Sequence, residues 1–272
     1  MEVLQIRRQY GRRRASCLSA LIVIAAGYGN FILRLREDSH KQHAMDIFST
    51  DISANITRLT TAILPIMIGM ICHEIAHGWA AWRLGDPTAR ALGRLTMNPR
   101  VHLDLTGSLL FLITALTSNF IIGWAKPVPV NPRRFASPRL GMALVSLAGP
   151  LTNFLLAFLF ALAYAMLLKA ALADILEVSA TTTFILKTCA MGISINVTLA
   201  WFNLLPIPPL DGSHITAALL PLPLARAYFS IGRYGIIIAI VLLGSGLLSQ
   251  IMRPLVRETV RVLAVAAGIP SL

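Results

Sequence analysis

MICHEIAHGW, residues 70–79, sets two histidines and a glutamate inside a run that is otherwise oily. TAILPIMIG (61–69) precedes it, and Ala80, Ala81 and Trp82 follow. On a lenient insertion scale a charged side chain at the centre of a spanning helix costs about 2.5–3.5 kcal/mol. Three ionisable residues together therefore require a partner, and their spacing indicates which. His73 and His77 are four apart, so on a helix they stack on one face about 6 Å apart along the axis. Two imidazoles so placed bind one Zn²⁺. Glu74, turned by about 100° from His73, reaches a metal-activated water without being a ligand.

The surrounding chain is built for a membrane. Of its 272 residues 56% are hydrophobic and 13% charged, where soluble domains carry about 25% charged residues; the mean hydropathy is +0.70. The net charge of +12 comes from basic residues in short connections between apolar runs. That fits the positive-inside rule and excludes a nucleic-acid-binding face. Cys17, Cys72 and Cys189 lie in apolar stretches and imply no disulfide framework.

The predicted fold is an all-α polytopic membrane protein, a helical bundle of about 4–6 transmembrane segments with a re-entrant segment and a short extended Pro-rich stretch. Five apolar segments are compared with the roughly 20 residues of a spanning helix: A (56–84), B (106–124), C (140–168), D (184–202) and E (234–251). Ala157, Ala161 and Ala165 give C a small-residue stripe for close packing. Three parts are expected: a basic and apolar extension over 1–44, a core over 45–252, and an amphipathic tail over 253–272 that lies on the membrane surface. The extension reads as a signal-like segment, as an extra anchor, or as sequence ahead of a start at Met45, and the last is preferred.

A catalytic zinc needs a third protein ligand. His102, Asp104, Asp211 and His214 are the candidates near apolar segments, and Asp211 is chosen over His214. It sits in WFNLLPIPPLDGSH (201–214), where Pro206, Pro208 and Pro209 unwind the chain after D. The alternative for Asp211 is an N-cap of the helix that follows.

HEIAHGW, AGPLTN (148–153) and FNLLPIPPLDG (202–212), in that order, resemble the site-2 protease family of intramembrane zinc metalloproteases. GDPTARALGRLTMNP (85–99) and GWAKPVPVNP (123–132) resemble its compact branch without PDZ or CBS domains. The resemblance covers about residues 55–250. It implies one Zn²⁺ per chain held by His73, His77 and Asp211, and Glu74 as the general base. It also implies that Asn153 and Asn203 lie near the catalytic centre, as substrate or oxyanion contacts; the alternative is helix–helix hydrogen bonding. The implied substrate is a transmembrane protein cut within the lipid bilayer in regulated intramembrane proteolysis, by Glu-assisted attack of a zinc-activated water. The alternative class is a non-proteolytic membrane metal-binding protein or metal carrier, in which Glu74 would have little purpose.

The ligand set constrains the topology. Asp211 meets the histidines only if A and D cross in the same direction, which requires B to dip in and return. Arg83, Arg90, Arg94 and Arg100 precede B, and Lys126, Arg133, Arg134 and Arg139 follow it. Both flanks are then cytoplasmic, which places the zinc in a multi-pass cell-membrane protein nearer that face. In WAKPVPVNP the prolines lack N–H, so Val128 and Val130 are expected to offer theirs to a substrate strand; the alternative is a plain connection.

Overall fold

The computed structural model describes residues 22–25, 52–117 and 120–269. Apart from 22–25, the expectations for residues 1–44 lie outside the described residues. The helices are α1 (Ile52–Arg83), α2 (Thr88–Ala91), α3 (Leu105–Thr117), α4 (Pro138–Leu172), α5 (Ala180–Asn203), α6 (Asp211–Leu219), α7 (Leu222–Ser230), α8 (Gly235–Gly244) and α9 (Leu247–Ala266). Strand β1 (Ile22–Ala25) pairs antiparallel with β2 (Phe120–Gly123).

The expected helical bundle is present. Among the described residues three helices are long and apolar enough to cross a membrane: α1, α4 and α5. Two of them have clear starts. Pro138 opens α4, where a missing N–H costs nothing. Ser179 caps α5 by accepting from the Thr182 N–H at 3.2 Å.

Packing follows the rules of a protein in lipid. On α4 the large side chains Leu151, Leu155, Leu159 and Met166 face outward, while Ala157, Ala161 and Ala165 are buried. The alanine stripe lies in one apolar cluster with Ile193 and Val197 of α5. With no hydrophobic force between helices in lipid, close backbone approach at small residues supplies the contact energy. The polar residues Ser194, Asn196, Thr198 and Asn203 of α5 are all buried, which marks it as the central helix.

Cross-contacts fix the helix directions. His73 meets Asn153 and His77 meets Val145, so α1 and α4 run antiparallel. Asn153 meets Asn196, and Phe160 packs at Gly192, so α4 and α5 are antiparallel too. Helices α1 and α5 therefore run the same way.

Segment B does not continue across. Helix α3 has 13 residues, about 20 Å at 1.5 Å per residue, short of the roughly 30 Å hydrocarbon core. The chain then returns along β2. Leu103 pairs with Ala125, the Lys126 N–H donates to His102 O at 2.7 Å, and Trp124 Nε1 donates to Asp104 Oδ1 at 3.0 Å. The segment thus leaves where it entered. Its two basic flanks join at the same end: the Asn131 N–H donates to Asp86 Oδ2, and Arg94 Nη2 to Lys126 O, both at 2.6 Å.

Segment E is divided rather than continuous. Helix α8 stops at Gly244, and α9 begins at Leu247 after Gly246, which has φ 74°. The expected boundary at 253 falls inside α9. Its apolar face, Leu248, Met252, Val256 and Val260, belongs to the core cluster, and Thr259 accepts from Trp201 Nε1 at 2.9 Å. The apolar face of α9 thus packs on the bundle.

The joined flanks give a labelling prediction. In a chain freed of its native cysteines, Arg90→Cys and Arg133→Cys are expected to react with an impermeant thiol reagent from the same side of a sealed vesicle. Reaction from opposite sides would contradict the returning path of α3 and β2.

Candidate metal centre

Helical spacing in α1 brings His73 and His77 to one face, turned inward and buried. Helix α4 approaches that face closely because residue 149 is glycine. A Cβ there would stand 2.5 Å from Cε1 of both imidazoles, closer than carbon atoms pack. The third member arrives from the end of α5. After Asn203 the chain turns back through LLPIPPL (204–210), and Gly212 sits so tightly on it that a Cβ would lie 2.2 Å from Leu204 O. This close return seats Asp211, the first residue of α6, over the two histidines.

The ligand atoms of His73, His77 and Asp211 lie within 4.8 Å of one another, and all three residues are buried. Asp211 Oδ2 is 3.2 Å from His73 Nε2 and 3.3 Å from His77 Nε2. The two Nε2 atoms are 2.9 Å apart. The other ring nitrogens show what this means chemically. His77 Nδ1 lies 2.7 Å from Val145 O, a carbonyl that can only accept, so Nδ1 carries the proton. His73 Nδ1 lies 2.6 Å from Asn153 Oδ1. That oxygen is identified because the Asn153 amide nitrogen donates to Gly69 O at 3.2 Å and to Asn196 Oδ1 at 3.0 Å. Neutral imidazoles protonated at Nδ1 present lone pairs at Nε2. Two such lone pairs and a carboxylate oxygen with no hydrogen-bond donor repel one another unless a cation lies among them. The donor set fits Zn²⁺, which favours imidazole nitrogen and carboxylate oxygen and leaves a fourth position open in catalytic sites.

Glu74 is 1% exposed. Its Oε2 accepts from the Val128 N–H at 2.7 Å, while Oε1 has no partner. The Val128 donor expected to be free for a substrate strand is therefore engaged by Glu74, and Val130 also has a partner. Asn153 is likewise committed at both ends of its amide, orienting His73. Asn203 is buried, and its amide nitrogen donates to Leu199 O at 3.0 Å, which leaves Oδ1 without a partner. The other third-ligand candidates do not join the cluster, although His214 is on the same helix as Asp211. His102 Nε2 contacts Thr96 O at 2.9 Å, and Asp104 binds Trp124 and the Gly107 N–H. The ring of His214 stands against Phe229, with centroids 5.3 Å apart.

Sequence reasoning missed Asn196, Gly149 and Gly69. Asn196 is fully buried; its Oδ1 supports Asn153 and its Nδ2 donates to Gly192 O at 2.9 Å. An asparagine in the middle of an apolar helix was the available signal. Val145 O acts through the backbone, so its side chain carries none.

Groups that orient a metal-ligating histidine typically contribute about 10–100-fold in metal affinity. Asn153→Leu is expected to weaken zinc binding by about that factor, measured by chelator competition, with helical content unchanged. Unaltered affinity would show that the Asn153 bond does not orient His73.

The sequence profile of Peptidase family M50 matches residues 170–243, a span that holds Asp211. YwhC of Bacillus subtilis, a zinc metalloprotease by name, is 36% identical over 193 residues, 71% of this chain and 84% of that protein. Rip2 of Mycolicibacterium smegmatis, also a zinc metalloprotease by name, is 32% identical over 179 residues, 65% of this chain and 64% of that protein. Rip2 of Mycobacterium tuberculosis is 34% identical over 148 residues, 54% of this chain and 52% of that protein. No solved structure matches. YwhC is matched over most of its length at an identity that carries family membership: the chain belongs to peptidase family M50, the site-2 proteases, and is an intramembrane zinc metalloprotease.

Proposed function

We propose that the chain hydrolyses peptide bonds within or beside the transmembrane segments of membrane-protein substrates. In this reading His73, His77 and Asp211 hold one zinc ion, and Glu74 is the general base. The observation that carries it is the pairing of two unlike sites in one buried place. One is a set of three buried metal-ligating side chains whose ligand atoms face one another; the other is a carboxylate on the residue after His73 in the same helix, with one oxygen unused.

Zinc, when bound, supplies Lewis acidity that polarises a peptide carbonyl and lowers the pKa of water. The chain's own residues do the rest. Glu74 takes a proton from the attacking water and returns it to the leaving nitrogen. Asn153 and Val145 O keep both imidazoles in the tautomer that leaves Nε2 free. The helices around the site exclude bulk water, which strengthens each of these interactions. A helical substrate hides its peptide bonds, so it is cut where it has unwound.

Two further points belong to the same reading. The joined basic flanks support an orientation in a multi-pass cell-membrane protein with the site nearer the cytoplasmic face. A metal carrier would need a succession of metal-binding groups along a path, whereas His73, His77 and Asp211 form the single such group among the described residues. Glu74 stands beside the ligands but not among them, with one carboxylate oxygen unused, a position suited to moving a proton and not needed by a carrier.

Reconstituted in zinc-containing liposomes with single-span reporter proteins, the parent chain is expected to release fragments cut in or near the span. Glu74→Gln is expected to keep one zinc per chain and to lower the rate by about 100-fold or more, the usual contribution of a general base. Parent-like turnover by Glu74→Gln would remove Glu74 from the mechanism.

A further inference from the structure

We propose that Asp86 and Arg94 are positioning residues for Glu74: they clamp the two ends of Lys126–Asn131 so that the Val128 N–H holds the carboxylate in one orientation. The inference rests on the reading of Glu74 as general base, and it assigns work to two buried charges that the zinc site does not use.

The clamped segment, KPVPVN, suits the task. Pro127, Pro129 and the following Pro132 fix φ and cannot donate, so the run is stiff and has few N–H groups. Three of those are committed to groups outside the segment. Lys126 donates to His102 O at 2.7 Å, Val128 to Glu74 Oε2 at 2.7 Å, and Asn131 to Asp86 Oδ2 at 2.6 Å. With a stiff run, fixing both ends fixes the height and direction of the donor in the middle.

Each clamp is built at a cost that calls for a reason. Asp86 is 0% exposed, and burying a carboxylate is unfavourable unless its oxygens are hydrogen-bonded. Its Oδ1 accepts from the Thr88 N–H at 3.1 Å and from the Thr88 hydroxyl. Its Oδ2 is left to the Asn131 N–H, with Arg134 Nε 3.8 Å from the carboxylate. Arg94 is 8% exposed, donates from Nη2 to Lys126 O at 2.6 Å, and lies within electrostatic reach of Glu74. One clamp thus grips a backbone N–H and the other a backbone carbonyl, on either side of Val128.

The consequence falls on Glu74. A carboxylate on a glutamate stem turns freely unless something holds it. The Val128 N–H engages Oε2 and leaves Oε1 without a partner, so the clamp selects the oxygen available for proton transfer. Misplacing a reacting group by about 1 Å costs on the order of 100-fold in rate.

The test uses the full-length, zinc-loaded chain with a single-span reporter that the parent cleaves. Asp86→Asn keeps the size of the side chain, but its carboxamide cannot accept from both the Thr88 and Asn131 N–H groups through its two ends. Arg94→Gln removes the guanidinium, and Arg94→Lys keeps a charged donor. Asp86→Asn and Arg94→Gln are expected to lower kcat by about 10- to 100-fold with KM within about twofold and one zinc per chain. Arg94→Lys should recover most of the loss. Hydrogen exchange of the peptide carrying Val128 should quicken in the two impaired variants, with α1, α4 and α5 unaffected. On a Val128→Pro background, which lacks the N–H, Asp86→Asn should cost nothing further.

Unchanged kcat and unchanged exchange at Val128 would overturn the clamp, as would a fully additive loss on the Val128→Pro background. Loss of zinc, or of protection across the helices, would show that Asp86 and Arg94 hold the fold rather than Glu74, and would overturn it equally. Glu74→Gln separates the two readings. If it is active, the general-base reading fails. If it is inactive while Asp86→Asn and Arg94→Gln match the parent, only the clamp fails.

Discussion

Asp211 Oδ2 stands 3.2 Å from His73 Nε2 and 3.3 Å from His77 Nε2, and with both imidazoles neutral and protonated at Nδ1 no proton lies among the three atoms. That mutual repulsion, relieved by a cation, is the constraint around which the bundle is arranged. It must be held in a medium without water, where an unsatisfied polar group is costly. The outer nitrogens of both histidines are accordingly met by acceptors on α4. Behind Asn153 a polar ladder continues through Gly69 O, Asn196 and Gly192 O. A polar network pays inside a membrane only when each member has a partner, and here the ladder ends on helix carbonyls.

The same scarcity of water explains the packing. Large apolar side chains on α4 face outward and alanines face the neighbouring helix, the reverse of a soluble bundle. Close approach at Gly149 and Gly212 lets backbone come within contact of the two imidazoles and of a neighbouring carbonyl. The short α3 and its return strand then carry the Pro-rich segment back to the level of Glu74. One hydrogen bond, from Val128 to Glu74, joins the peripheral loop system to the centre.

Much of this was legible beforehand because it depends on period and composition. His73 and His77 share a face whenever residues 70–79 are helical, and the apolar run makes them helical. Asp211 followed from the prolines that unwind the chain after α5, and the need to bring it back implied the shared direction of α1 and α5 and the turning back of segment B. Other features had no such signal. Val145 acts through its carbonyl, so its identity says nothing. For Asn153 the sequence leaves two readings open, a substrate or oxyanion contact and helix–helix hydrogen bonding, because residue type does not tell an amide that supports a histidine from one that awaits a ligand. The pattern of prolines counts N–H groups without saying which acceptor lies opposite, so it presents Val128 as an open donor where the fold supplies Glu74. Segment E read as one span, yet Gly246 with positive φ divides it.

Residue type and interval therefore specify the kind of chemistry and its setting: a His–Glu–His motif at helical spacing in an apolar chain, and one carboxylate on an unwound stretch. These are local properties, written in residue type and interval. The tertiary structure alone decided which groups satisfy the motif's remaining valences: Asn153 and Val145 O on the histidines, Val128 on Glu74, and Asp86 and Arg94 on the segment that carries Val128. Those pairings join residues far apart in the chain, and most use backbone atoms that every residue possesses. Only the path of the folded chain distinguishes one such atom from another.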